Sequence, residues 1–237
     1  MIILIPIGGK GERFKKNGFS KPKALINVEE NPMIFHVLDN LKINENVSFI
    51  YIPYNKEYVD YDFENILKKK YPNYKFKFFV LKNQTRGAAE TIYMALKDLY
   101  TKSIRYPISM NDMKKMFDKP VLCLDSDSFY TNDIIKKWNG KNIIFTFTSK
   151  SENPIFSYIK YNENFITEIK EKKKISDDAC TGAYGFESYY ELIENCKNTL
   201  EDENNKQLGE FYTSCVIKNM INKDIKFKNI NIENKHF

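Results

Sequence analysis

Along the first half of the chain, short apolar runs alternate with segments whose apolar residues recur at helical spacing. Ile2–Ile7 is a continuous apolar run, as in a strand covered on both faces. Pro32–Leu41 carries Met33, Ile34, Val37, Leu38 and Leu41 on one helical face. Val47–Ile52 and Phe76–Leu81 predict further strands, and Glu57–Lys70 and Ala88–Tyr100 further helices, which gives the order βαβαβα. Thr101–Lys119 is polar and without a clear period, an excursion before the strand Val121–Leu124. Ile134–Trp138 predicts a short helix and Ile143–Thr148 a strand. From Ile155 to Phe186 the rhythm shortens to hairpin-like strands, with a turn at Tyr161–Asn164 and a return at Phe165–Ile169. This change predicts an antiparallel lobe added to a parallel sheet. Helices at Tyr189–Leu200 and Gly209–Met220 and a strand at Ile225–Ile232 complete an α/β pattern. Without an internal repeat or a Gly/Ser linker, residues 1–237 read as one domain, with halves meeting near residue 150.

With 237 residues, 42% of them hydrophobic, the chain can bury a core, and disorder is excluded. No apolar run approaches the ~20 residues of a membrane helix, so no membrane insertion is expected. The opening MIILIPIGG has no basic region before it and runs into Gly8, Gly9 and Lys10, which reads as a buried strand rather than a secretory leader. Cys123, Cys180, Cys196 and Cys215 are far apart and lack metal-ligand spacing, so reduced thiols and a cytoplasmic setting are expected. Two histidines, His36 and His236, leave little material for a histidine zinc site or a Ser-His-Asp triad. The net charge of +6 would suit a non-catalytic binder of nucleotide or nucleic acid, but the lysines are spread through every segment and interleaved with acids. No nucleic-acid partner is therefore expected. Only three residues are arginine: Arg13, Arg86 and Arg105.

Gly8-Gly9-Lys10-Gly11-Glu12-Arg13 follows the first strand directly, the context in which backbone N–H groups can face a phosphate. The spacing is neither GxGxxG nor a Walker loop, and a plain tight turn accounts for the glycines equally well. Arg13 and Arg86 both lie in glycine-containing loops of a lysine-rich chain, where a planar bidentate donor for phosphate or carboxylate would be retained. Lys21-Pro22-Lys23 places Lys23 on a stiff segment, suited to a polyphosphate or simply a solvated loop. Asp125 and Asp127 end an apolar strand at alternating positions, where two like charges call for a cation and carboxylates suit Mg²⁺. A helix cap or Asx-turn at Asp127 and Ser128 is the competing reading.

The motif order GGKGERF (8–14), SKPKALINV (20–28), NPMIFHVLDNL (31–41), QTRGAAET (84–91), LDSDSF (124–129), EIKEKKKISDDACTGAYGF (168–186) and GEFYTSCVI (209–217) resembles the nucleotidyltransferases that make NDP-sugars and related activated compounds. The resemblance covers nearly the whole chain. It implies a Rossmann-like three-layer α/β/α mixed sheet of the glycosyltransferase-A-like nucleotidyltransferase fold, with a small antiparallel acceptor-binding lobe. It also implies transfer of NMP from an NTP to a phosphorylated small molecule, with release of pyrophosphate and with Mg²⁺ as cofactor. Gly8, Gly9 and Gly11 match the loop that cradles the nucleotide, and Arg13 and Lys23 the groups that neutralise its triphosphate. Gln84 and Gly87 match the base-contacting loop, Asp127 the metal ligand, and Asp125 a ribose-proximal acid. Glu171 and Lys172 match a pair near the acceptor phosphate, and Gly182 a glycine beside the acceptor; by residue type alone Glu171-Lys172 also fits a solvated charged turn.

The opening IPIGGKGERF resembles a subgroup found with capsule and surface-polysaccharide genes, which favours CTP or UTP. Acceptors in similar proteins include sugar 1-phosphates, phosphocholine and phosphoglutamine. A glycosyltransferase of the same fold could also use the Asp-Ser-Asp motif with a metal, but without need of Arg13 and Lys23 for a leaving pyrophosphate. Relatives usually continue into a Gly-Thr-Pro segment beyond the position of His236-Phe237, so the resemblance names no second metal ligand. It leaves room for a homo-oligomer, with 101–119 as a candidate lid or interface.

Overall fold

The computed structural model describes residues 1–103 and 119–237; nearly all of the expected excursion lies outside them. The first half contains β1 (Ile2–Leu4), α1 (Glu12–Lys16), β2 (Asn27–Val28), β3 (Asn31–Pro32), α2 (Met33–Asp39), β4 (Phe49–Asn55), α3 (Phe63–Lys70), β5 (Phe76–Leu81) and α4 (Ala88–Ser103). The second contains β6 (Val121–Leu124), α5 (Ile134–Lys137), β7 (Ile143–Thr148), β8 (Ser157–Asn162), β9 (Phe165–Glu171), β10 (Asp178–Phe186), α6 (Tyr189–Leu200), α7 (Thr213–Asn222) and β11 (Lys228–Asn231).

The main sheet runs β11-β7-β10-β6-β1-β4-β5, with the β8–β9 hairpin joined through β10. Neighbours pair in parallel except at β10, which is antiparallel to both β6 and β7. The expected antiparallel lobe is thus only partly an appendage. No helix separates β7 from β10, and β10 enters the middle of the sheet in the reverse direction while β8 and β9 extend outward.

Alternation along the strands sends side chains to two cores. Ile2 and Leu4 face α4, α6 and α7 with Leu96, Leu192 and Ile217, while Ile3 and Ile5 face α2, α3 and α5 with Val37, Leu67 and Ile134. Both faces are therefore covered, which explains the uninterrupted apolar character of the inner strands. The result is the expected α/β/α sandwich.

Boundaries differ where backbone chemistry intervenes. The first strand pairs on both sides only through Leu4, but Ile5 and Ile7 still donate to Tyr51 O and Pro53 O; Pro6, between them, has no N–H to give. The expected helix 57–70 is broken at Asp62, where φ is 52°, into a 3₁₀ segment, Lys56–Tyr61, and α3. The expected helix from Gly209 starts only at Thr213, because Phe211 N is bound to Arg86 O and Phe211 O to Ala89 N. The hairpin β2–β3 is too short to leave a periodic signal. Among the described residues no helix is long and apolar enough to cross a membrane.

Candidate active site

The chain proceeds from β1 outward to β4 and β5 and then returns to β6 on the other side of β1. The carboxyl ends of β1 and β6 therefore flank the switch point, where open α/β sheets bind ligands. The glycine loop leaves β1 there, and Asp125 and Asp127 leave β6 there.

Gly8 is buried, Gly9 is open, and the carbonyl of Gly8 accepts Gln84 Nε2 at 3.3 Å and Asn55 Nδ2 at 3.5 Å. Asn55 Nδ2 also donates to Gln84 Oε1 at 3.1 Å. Both polar ends of Gln84 thus hold the loop after β1 to the 84–87 turn. Asn55 was not singled out in the sequence; its place at the carboxyl end of a parallel strand was the available signal. Gly11 lies against Lys23, and the exposed Arg13 forms no ion pair among the described residues.

Pro22 leads into a 3₁₀ turn at Lys23–Leu25, with Ala24 and Leu25 buried and Ala24 N bonded to Tyr58 Oη at 3.0 Å. The anchored turn carries the Lys23 ammonium to Asp127, with which it forms a short ion pair. Asp125 lies behind this pair. Burial, then the Asp127 charge, raise its carboxyl to about 7 against the opposing pull of Lys23, with Glu171 adding to the rise. Gly182 on β10 lies directly over Asp125: at φ 89°, a Cβ there would stand 2.4 Å from Asp125 Oδ2. Asp125 N also donates to Gly182 O at 3.0 Å, so backbone and side chain are fitted together.

Across from these carboxylates, Glu171 is largely buried, accepting Ser214 Oγ at 2.8 Å and, in a short bond, Ser157 Oγ. Lys172 holds a left-handed φ of 46°, a strained setting for a non-glycine residue. Its Nζ donates to Tyr212 Oη at 2.9 Å and lies 4.6 Å from that ring's centroid, at the N-terminus of α7. Tyr212 and Ser214 join the site through tertiary contact, and nothing in their spacing announced it.

Arg86, expected to meet phosphate or carboxylate, meets carboxylates of the protein itself. The Arg86 guanidinium is bound by Glu90 at 2.8 Å and Glu203 at 2.9 Å and lies 4.9 Å from the Phe211 ring centroid, so it ties the 84–87 turn to the segment before α7. A planar guanidinium suits this combination of carboxylates and a ring face.

Among the described residues no three metal-ligating side chains cluster. Mg²⁺ commonly takes one or two carboxylates and completes its shell with phosphate and water, so Asp127 with Asp125 is a donor set that fits it. Asp125 and Asp127 put two carboxylates side by side, and Lys23 already offsets the charge of Asp127.

No family model matches the sequence, and no curated protein matches it by sequence. Solved structures do match in three dimensions. A nucleoside-diphosphate-sugar pyrophosphorylase from Vibrio cholerae RC9 is 18% identical with a TM-score of 0.79, over 100% of this chain and 93% of that one. The inositol-1-phosphate CTP transferase from T. maritima is 12% identical with a TM-score of 0.69, over 98% of this chain and 86% of that one. A UDP-glucose pyrophosphorylase complexed with UDP-glucose is 15% identical with a TM-score of 0.70, over 98% and 90%. Along its whole described length, then, the chain has the glycosyltransferase-A-like fold of the sugar-phosphate nucleotidyltransferases.

Proposed function

We propose that the protein is a nucleotidyltransferase that moves NMP from an NTP to a phosphorylated small molecule and releases pyrophosphate. The observation that carries this reading is the meeting, at the switch point, of the glycine loop, the anchored Lys23 and the two strand-end carboxylates, with Lys172 opposite. We read 1–237 as one such domain, nucleotide-binding over about 1–150 and acceptor-binding over about 151–237.

The acceptor phosphate is already anionic at neutral pH, so the reaction needs no general base. Its obstacle is the approach of one anion to another, which positioning and cationic charge overcome. Gly8, Gly9 and Gly11 let the triphosphate approach the backbone, and Gln84 and Gly87 border the base. Arg13 and Lys23 neutralise the departing pyrophosphate. Lys172, held by Tyr212, receives the acceptor phosphate, while Glu171 fixes Lys172 from its buried position and Gly182 leaves room beside Asp125. Asp127 would hold Mg²⁺, with Asp125 next to it and near the ribose. Bound there, the ion would neutralise phosphate oxygens at the reacting centre.

CTP or UTP is favoured by the IPIGGKGERF opening. The reading is supported by a CTP transferase and a UDP-glucose-bound enzyme among the similar folds. A sugar 1-phosphate, phosphocholine or phosphoglutamine would be the acceptor, in cytoplasmic synthesis of capsule or surface-polysaccharide precursors. A pyrophosphate-release screen of four NTPs against phosphorylated acceptors, with Mg²⁺, tests the proposal. Pyrophosphate formed only when both substrates are present supports it. Sugar transfer from an NDP-sugar without pyrophosphate release replaces it with a glycosyltransferase.

A further inference from the structure

A second concavity, of about 490 Å³, opens at the other end of the sheet, where β7 and β11 begin. That volume lies within the roughly 300–1,000 Å³ of small-molecule sites. Four exposed lysines line it: Lys137, Lys141, Lys226 and Lys228. The acid on its rim, Glu187, is already paired with Lys141. Glu233, which feels Lys137, is itself paired with Lys235 at 2.8 Å. Lys137, Lys226 and Lys228 form no ion pair among the described residues.

Three carboxamides share the lining, and the protein occupies the oxygen of each. Asn139 Oδ1 accepts Lys141 N at 3.2 Å, Asn142 Oδ1 accepts Glu187 N at 2.8 Å, and Asn229 Oδ1 accepts Thr146 Oγ1 at 2.7 Å. A backbone N–H fixes which end of an amide is oxygen, as it does at Asn139 and Asn142. The NH₂ groups of these two are therefore left over, with no protein acceptor among the described residues. Asn142 is only 8% exposed, so its position is set by packing and not by solvent. Among the polar side chains of the lining, cations and amides outnumber the single carboxylate, Glu187, while Ile143, Ile230 and Phe165 add apolar surface. Such a surface matches a ligand made of anionic oxygens, and its multiple lysines match several phosphates in one molecule. Phe165, 39% exposed, adds a ring face, with Lys228 Nζ 5.8 Å from its centroid.

We propose that this concavity binds a small organic polyphosphate, its phosphates on Lys137, Lys226, Lys228 and the NH₂ groups of Asn139 and Asn142 and its ring system against Phe165. The site is separate from Lys23 and Asp127, because β7 and β11 begin here and the candidate active site lies where β1 and β6 end. A ligand here would not be a reactant of the proposed transfer, and the site does not depend on the proposed reaction.

Calorimetric titration of the full chain tests it, in EDTA at fixed ionic strength, with ATP, inorganic tripolyphosphate and adenosine as probes. The R13A/K23A variant serves as background, so that the other nucleotide site contributes little. ATP should bind this variant, tripolyphosphate more weakly, and adenosine not at all. Adding K226A/K228A should weaken ATP binding by about tenfold or more, while K75A/K77A, which removes the same charge from exposed positions just before and within β5, should leave it unchanged. Absence of ATP binding to R13A/K23A overturns the proposal, as does equal weakening by the two lysine pairs. Tripolyphosphate binding as tightly as ATP overturns the organic ligand, and a single-stranded RNA that binds these lysines more tightly than ATP replaces it with a nucleic-acid surface.

Discussion

Replacing Gly182 with alanine tests the fit between β10 and the strand-end carboxylates. The backbone at 182 has φ 89°, where an L-residue is strained by about 1–2 kcal/mol. The new methyl carbon would stand 2.4 Å from Asp125 Oδ2 and 2.8 Å from Asp125 Cγ. Because Asp125 N is bonded to Gly182 O at 3.0 Å, the two backbones are held together and the carboxylate must yield. An off-rotamer Asp125 adds about 0.5–1.5 kcal/mol. The sum is about 1.5–3.5 kcal/mol, or roughly 3–14 °C in Tm for a chain of this size. Thermal denaturation of Gly182→Ala, Asp125→Ala and the double variant separates the two contributions. The cycle should show a coupling of about 1 kcal/mol, since Asp125→Ala removes the Oδ2 and Cγ contacts and leaves the backbone strain and the 3.0 Å approach to the Cβ of residue 125. Gly185→Ala is the control: its Cβ would meet Trp138 Nε1 at 2.5 Å, so it should lower Tm while the folded enzyme keeps its turnover. A Gly182→Ala protein within 0.5 kcal/mol of the parent, or additive singles, would refute the reasoning.

Further outcomes follow from the same geometry. Alanine at Lys23 or Asp127 should reduce turnover by orders of magnitude in a folded protein, since each is exposed enough to be lost without a cavity; near-normal kcat removes that residue from the mechanism. Lys172→Ala should raise KM for the acceptor and leave KM for the NTP nearly unchanged, which initial-rate kinetics will separate. Arg86→Ala should cost about 1 kcal/mol or less by denaturant unfolding, because its two ion pairs are solvent-exposed, with no change in NTP affinity by calorimetry. EDTA should abolish pyrophosphate release and Mg²⁺ restore it; activity that persists in EDTA excludes Asp127 as a necessary metal ligand.

The strands Phe76–Leu81, Val121–Leu124 and Ile143–Thr148 and the helix Tyr189–Leu200 were legible residue for residue, because burial of one or both faces imposes a period that composition cannot hide. Glycines after a first strand, Lys23 behind a proline and two aspartates at a strand end stood out by residue type and position, and the fold brings Lys23 to Asp127 at the strand ends; their chemistry is part of the proposed function. The insertion of β10 between β6 and β7 was not legible, since direction in a sheet is set by partners far away in the chain. Nor was the fate of Arg86. Its loop position suggested phosphate or carboxylate, and only folding, which brought Glu203 and Phe211 to it, decided for carboxylate, a residue type being the same whether it meets a ligand or its own protein. Asn55, Tyr212 and Ser214 carry no local signal because their roles exist only through contacts made across the fold, with Gln84, Lys172 and Glu171. Periodicity and residue chemistry are local properties, and a chain states them along its length; the pairing of distant charges is decided where strands meet, at the one crevice the strand order creates.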